Sequence, residues 1–186
     1  FWCPDVFQGA PTEVTTFLSV ASKGAAVALL VRFLGFFGAT DGNFMGLAVG
    51  VGIVGAVTAT WGNLVALHQT NFKRLLAYSS IAHAGYMIMA AAVVAVASPS
   101  AASADTTALV SGDVTSAILF YLLVYLFMNL GAFTVVADVA NRDGTEDIRD
   151  YAGMMKRSPL VTVLLSIFLL SLFGMPGLGG FLGKVF

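Results

Sequence analysis

Long apolar stretches separated by short polar segments dominate this chain. The four longest, at 14–37, 44–67, 75–97 and 114–137, each match the roughly 20 helical residues that cross a bilayer core. A fifth, at 159–173, is too short to cross alone, and the glycine- and proline-rich residues after it interrupt helical hydrogen bonding. We predict an all-α, polytopic transmembrane helix bundle, a single domain over 1–186, whose last span is a broken one at 159–186.

The composition agrees with that of a membrane protein. Of the 186 residues, 58% are hydrophobic and only 10% are charged, whereas soluble domains carry about 25% charged residues. A net charge of −1 creates no field that attracts nucleic acid, so we expect the lipid bilayer as a partner and no nucleic acid. The single cysteine excludes an internal disulfide, and the spacing of the two histidines indicates no metal site. The chain starts at Phe1 without signal-peptide features, and we interpret it as a fragment of a longer polytopic protein.

The basic residues of the connecting segments lie on one side of the predicted bundle. When successive loops alternate sides, 1–13, 68–74 and 138–158 share a side, and they contain Lys73, Arg74, Arg142, Arg149, Lys156 and Arg157. The opposite loops, 38–43 and 98–113, contain no lysine or arginine, and the small residues at 98–105 predict a mobile outer loop. The positive-inside rule therefore assigns the first side to the cytoplasm or its topological equivalent.

Two lysines stand in apolar sequence and are the main candidates for chemistry. Lys23 lies about ten residues into the first span, near the bilayer midplane, where a charged side chain costs roughly 2.5–3.5 kcal/mol. Burial disfavours the ammonium and a nearby carboxylate favours it, so a lysine at this depth can gain and lose a proton. A snorkelling or permanently paired lysine is the structural alternative. Lys184 follows the glycine- and proline-rich break, where transporters build ion sites, unless it only marks the membrane edge.

Two further polar residues belong to the third span. Lys73 begins this span from the basic side, so either an anchor at the membrane surface or a functional lysine explains it. His83 lies inside the span, where a histidine can shuttle protons near neutral pH or donate one hydrogen bond between helices. The pattern leaves both alternatives open for each residue.

Several segments resemble one family. Residues 2–12, Trp-Cys-Pro-Asp-Val-Phe-Gln-Gly-Ala-Pro-Thr, and 16–23, which end at the first lysine, resemble subunit N (subunit 2) of proton-pumping NADH:quinone oxidoreductase, respiratory complex I. Residues 69–86 are similar to the hallmark stretch of its antiporter-like subunits, and 147–153 and 179–184 add to the likeness. A plastid or cyanobacterial relative of the same subunit matches almost as well.

This resemblance implies a fold of fourteen transmembrane helices in two inverted five-helix repeats, with helices seven and twelve broken. It places the chain between the end of helix seven and helix twelve. It also implies a proton relay in which Lys23 is the central lysine and Lys184 the lysine at the exit, with Lys73 and His83 as further polar members. The helix-five glutamate and helix-seven lysine of the family would precede Phe1.

We therefore expect a proton-translocating membrane-arm subunit of NADH:quinone oxidoreductase, a translocase subunit driven by quinone reduction elsewhere in the complex. The resemblance implies no cofactor or NADH site in this chain, and quinone, FMN and iron–sulfur clusters in other subunits. The partners would be other antiporter-like and small membrane subunits, in a bacterial inner membrane or in a thylakoid or other energy-transducing membrane. A Na⁺ or K⁺/H⁺ antiporter component is one alternative, although the predicted spans lack the carboxylates that favour cation binding. A structural scaffold subunit is the other.

Overall fold

The fold is a bundle of α-helices. A computed structural model describes residues 2–38, 45–96 and 104–185, and its helices are α1 Cys3–Gly9, α2 Thr12–Gly38, α3 Met45–Ala66, α4 Phe72–Val96, α5 Ala104–Asp143, α6 Met154–Arg157, α7 Pro159–Phe173 and α8 Gly179–Val185. A short 3₁₀ helix, Ile148–Tyr151, precedes α6. No strand occurs in these described ranges. The predicted all-α class is confirmed.

Four segments of these helices are long and apolar enough to cross a membrane, namely Thr12–Phe36, Met45–Ala66, Phe72–Val94 and Gly112–Arg142. The predicted loop at 98–113 is wrong for residues 104–113, which form the first turns of α5. No proline interrupts these residues, and each residue added to a helix gains one backbone hydrogen bond, so the helix extends beyond its apolar stretch. The predicted loop residues 39–43 and 98–103 lie outside the described residues.

Helices α3 and α4 approach each other closely because both place glycine at their contact. A Cβ atom added to Gly85 of α4 would lie 2.6 Å from the backbone nitrogen of Ala59. A Cβ atom added to Gly62 of α3 would lie 2.8 Å from the backbone nitrogen of Ala82. Neither position has room for a side chain, as is common where membrane helices pack backbone against backbone. The contact fixes the position of α4, the helix that carries His83.

Helix α5 lies at the centre of the bundle, with contacts to α2, α4, α7 and α8. Its Tyr125, Phe133 and Val136 side chains are fully buried. The outer faces of the bundle are apolar, with more than half of each of these side chains exposed: Phe17, Phe33, Trp61, Phe127 and Leu160. Such a surface suits hydrocarbon chains or further apolar helices, which agrees with a polytopic membrane protein.

A break separates α7 from α8. Gly174 has a φ of 92°, a left-handed conformation that ends α7, and its N–H donates to the carbonyls of Leu170 and Ser171. A Cβ atom added to Gly180 would lie only 1.7 Å from the carbonyl oxygen of Ser171. Helix α8 is thus held against the last turn of α7, and this contact brings Lys184 to the carbonyls at that helix end.

Candidate functional site

Lys23 holds its ammonium group inside the bundle. The Nζ atom is buried and has no hydrogen-bond partner among the described residues, and it lies 5.7 Å from the centroid of the Tyr125 ring on α5. The face of an aromatic ring attracts a cation. Cys3 interacts electrostatically with Lys23, but burial raises the pKa of this thiol, so it supplies no anion at neutral pH. Within the described residues, Lys23 neither reaches the surface with its ammonium nor forms an ion pair.

Lys184 binds the end of the broken helix. Its Nζ donates to the carbonyl oxygens of Phe173, at 3.1 Å, and Leu172, at 3.4 Å. The last carbonyls of an α-helix have no partner within the helix and carry partial negative charge, so they suit an ammonium group. The same Nζ lies 5.3 Å from the centroid of the Tyr86 ring on α4. Lys184 therefore contacts α4 and the end of α7 together.

His83 lies between the two lysines. Only 3% of the residue is exposed. Its ring centroid is 5.2 Å from that of Tyr125, which Lys23 contacts, and 5.8 Å from that of Tyr86, which Lys184 contacts. Its Nδ1 atom also forms a hydrogen bond with the hydroxyl of Tyr121. The tertiary structure thus arranges Lys23, Tyr125, His83, Tyr86 and Lys184 in one continuous series, which we call the Lys23–Lys184 series.

Hydroxyl and amide groups surround this series, and our sequence analysis missed them. Tyr125 donates to Ser80 at 3.0 Å, and Asn129 donates to Ser19 at 2.6 Å. Their spacing in the sequence is nevertheless helical, in three groups: Ser19 and Lys23; Ser80, His83 and Tyr86; and Tyr121, Tyr125 and Asn129. Residues three or four apart share a helix face. A search for polar residues at this spacing within apolar helices would have found one polar face on each of α2, α4 and α5.

Two cavities lie at the Lys184 end of the series. One, of about 630 Å³, is lined by Asn63, Gln69, Ser79, His83, Tyr86 and Lys184 together with apolar residues. The other, of about 500 Å³, is lined by Tyr86, Tyr121 and Lys184 together with apolar residues. A water molecule occupies about 30 Å³ in the liquid, so each cavity has room for several. Tyr86 and Lys184 line both cavities, whereas Lys23 lines neither of these two.

Lys73 lies apart from the series, at the start of α4. Only 4% of the residue is exposed, and its Nζ contacts the Glu146 carboxylate at 2.5 Å and the Ala10 carbonyl oxygen at 3.1 Å. Backbone hydrogen bonds reinforce this junction, from Phe72 to Glu146 and from Ile148 to Thr70. The contacts of Lys73 join the end of α1, the start of α4 and the segment after α5, which we predicted to share one side of the membrane. These contacts give Lys73 a structural part in the junction. A role of Lys73 in a proton relay remains a prediction.

Changing Glu146 to glutamine is expected to destabilise the fold, because Lys73 then keeps a buried positive charge without its carboxylate. We expect a loss of about 1.5–3 kcal/mol, the usual range for a hydrogen bond to a charged group. Thermal unfolding of the purified, membrane-extracted protein would measure it. The matched control is Asp138→Asn, which breaks the exposed Arg142–Asp138 pair four residues apart and should cost only about 0.3–0.5 kcal/mol. Equal effects of the two variants would show that Lys73 does not depend on Glu146.

No group of three or more histidine, cysteine, aspartate or glutamate side chains that could hold a metal ion occurs in the part of the chain that the structure describes. The ionisable groups of the Lys23–Lys184 series are the candidates for chemistry. Lysine, histidine and tyrosine each bind and release protons, and they are connected here through buried rings and hydrogen bonds. The arrangement is suited to moving a proton along the Lys23–Lys184 series to the two cavities at its Lys184 end.

Comparison with known proteins places this chain among relatives of complex I. It is 46% identical over 195 residues to NADH-quinone oxidoreductase subunit N of Anaeromyxobacter sp. (strain Fw109-5), a match that covers 98% of this chain and 34% of that protein. Among solved structures, it resembles a chain of respiratory complex I from Thermus thermophilus, with a TM-score of 0.71, 34% identity and coverage of 100% of this chain and 36% of the other. It also resembles a chain of the membrane-bound sulfane sulfur reductase, an archaeal respiratory membrane complex, with a TM-score of 0.82, 26% identity and coverage of 99% and 34%.

The chain spans about a third of the length of the curated relatives it matches. The predicted resemblance to subunit N is confirmed by the relatives of that name. A family model described as the transmembrane part of NADH:quinone oxidoreductase and Mrp antiporters matches residues 1–186, the whole chain. This protein therefore belongs to the NADH:quinone oxidoreductase/Mrp antiporter transmembrane family.

Proposed function

We propose that this chain is part of a proton-translocating subunit in the membrane arm of NADH:quinone oxidoreductase, and that the Lys23–Lys184 series carries the protons. The observation that carries the proposal is the position of His83, which contacts the rings of Tyr125 and Tyr86 while each of these rings contacts one lysine. Isolated structural lysines would not require a titratable group between them. The names of the relatives support the same activity.

In this mechanism Lys23 takes a proton from a buried neighbour and passes it by way of His83 toward Lys184. Lys184 then releases it into the cavities that it lines. Coupling between the steps is electrostatic, since a positive charge on one member disfavours a positive charge on the next in a medium of low dielectric constant. Quinone reduction elsewhere in the complex would supply the charge change that starts each cycle.

The chain would act within a larger assembly. We propose that it contributes to a translocase, that it holds no redox centre or NADH site, and that quinone, FMN and iron–sulfur clusters reside in other subunits. Its partners would be other antiporter-like and small membrane subunits, which suits the exposed apolar faces of its helices. A bacterial inner membrane is the location we favour, and the complete subunit would have the fourteen-helix fold of its family.

The substitution His83→Gln tests this function. Glutamine keeps a polar group of similar reach but does not bind a proton, so we expect proton pumping to fall about 100-fold, the usual contribution of a positioned proton-transfer group. The measurement is proton uptake or release driven by quinone reduction in membrane vesicles, with assembly of the complex checked in the same sample. The matched control is His68→Gln, at an exposed position just after the end of α3, which should pump normally. Normal pumping by the His83 variant would exclude His83 from the relay.

A further inference from the structure

We infer that the hydroxyl of Tyr121 carries protons between His83 and the cavity beside Lys184. This inference rests on the proposed function and names the Tyr121 hydroxyl as the group that takes the proton from His83. Tyr121 lies on α5, and only 5% of the residue is exposed. Its hydroxyl is hydrogen-bonded to Nδ1 of His83. A phenol hydroxyl both donates and accepts hydrogen bonds, so it can receive one proton while it releases another.

The two residues that form this hydrogen bond line different cavities. His83 lines the cavity of about 630 Å³ but not the one of about 500 Å³, whereas Tyr121 lines the smaller cavity but not the larger. The hydrogen bond between them therefore links the linings of the two cavities. A proton can pass between the two linings by exchange along this bond.

The proton transfer is balanced. Protonated His83 gives the proton on Nδ1 to the Tyr121 oxygen, while the original hydroxyl proton leaves for a water molecule in the smaller cavity. The Nδ1–H bond and the old O–H bond break, and a new O–H bond on Tyr121 and one on the water form. Tyr121 is neutral before and after the exchange. The neutral amine of Lys184, which lines the same cavity, then accepts the proton.

The hydroxyls of the other two tyrosines around His83 form hydrogen bonds with other residues. Tyr125 donates a hydrogen bond from its hydroxyl to Ser80 Oγ at 3.0 Å, and it lines neither cavity. Tyr86 accepts a hydrogen bond from Asn63 at 2.9 Å and meets His83 edge to face, with an angle of 84° between the rings. Of these three tyrosines, Tyr121 alone is connected to His83 through its hydroxyl.

Tyr121 is also in contact with the helix that carries Lys184. A Cβ atom added to Gly183 would lie 2.9 Å from a ring carbon of Tyr121, so the ring packs directly on the backbone of the residue before Lys184. A displacement of α8 at the helix break would therefore move the Tyr121 ring and its hydrogen bond to His83. The position of Lys184 and the transfer through Tyr121 are mechanically connected.

The test is Tyr121→Phe in the assembled complex. Phenylalanine keeps the ring that packs on Gly183 and removes only the hydroxyl, so we expect turnover to fall about ten-fold or more and the solvent deuterium isotope effect on turnover to rise. A residue that only supports the fold would not raise the isotope effect. The matched control is Tyr78→Phe on α4, a tyrosine that lines neither cavity, and it should leave both quantities unchanged.

Difluorotyrosine at position 121 provides a second measurement, since it keeps the hydroxyl but makes it more acidic. We expect its turnover and isotope effect to differ from those of the unmodified protein, and identical values would overturn the inference. Wild-type pumping by assembled Tyr121→Phe, together with loss of pumping in His83→Gln, would also overturn it and would leave the proposed function standing. Normal pumping by His83→Gln would instead overturn the proposed function itself.

Discussion

Replacing Lys23 by alanine is expected to abolish coupled proton pumping by the assembled complex. The ammonium of Lys23 is buried without a hydrogen-bond partner in the described residues, and the Tyr125 ring is its contact toward His83. The variant removes the titratable group with which the Lys23–Lys184 series begins. We expect quinone-driven pumping and turnover to fall together by about 100-fold or more, measured in vesicles with assembly checked in the same sample.

Two further variants make this result specific. Lys23→Met fills nearly the same volume without an amine and should fail to the same degree, which separates loss of the proton site from loss of packing. Lys156→Ala changes an exposed lysine of α6 and should pump normally. Unchanged pumping per electron in Lys23→Ala would mean that Lys23 is structural, and the relay would have to begin elsewhere. A preparation without any associated quinone reductase activity would instead favour a cation antiporter.

Replacing Lys184 by arginine is expected to stop pumping although the positive charge is kept. Arginine can still donate to the Leu172 and Phe173 carbonyls that Lys184 binds, so the end of α7 keeps a cationic partner. A guanidinium does not lose its proton in proteins, and the release step would therefore be blocked. We expect pumping and turnover to fall about 100-fold in the vesicle assay, while the amount of assembled complex stays normal.

The same change at Lys156, an exposed residue, controls for the general effect of arginine and should have little consequence. Lys184→Ala is expected to fail as well, with some loss of assembly because the carbonyls at the end of α7 lose their donor. Wild-type pumping by Lys184→Arg would show that a fixed charge is sufficient at this position. Lys184 would then stabilise the helix break and would not release protons.

Much of the fold could be predicted because the length of an apolar stretch is a local property of the chain. The four long apolar stretches and the break after residue 173 follow from residue type and from proline and glycine positions alone. The start of α5 was predicted wrongly because nothing in 104–113 forces a helix to form or to stop. The helix extends into these residues from the apolar stretch that follows them. Hydropathy predicts which part of a helix is apolar, but it does not predict the residue at which helical hydrogen bonding begins.

The candidate site was predictable only in part. Lys23, His83 and Lys184 were identified singly, because each places a titratable group in apolar sequence. The tyrosines that connect them were missed, since tyrosine is common in membrane proteins and draws attention only when its spacing is examined. Tyr121, Tyr125 and Asn129 are spaced four residues apart, and that pattern on a single helix face would have indicated a polar face on α5.

By itself, the sequence determined the helical class, the apolar spans, the helix break and the occurrence of titratable residues within apolar sequence, because these depend on the composition of single segments. Only the tertiary structure decided that His83 lies between the two lysines, that Lys73 pairs with Glu146 and that Lys184 binds the end of α7. These contacts join residues far apart in the chain. They depend on the rotation and offset of packed helices, which close backbone contacts such as those at Gly85 and Gly180 set.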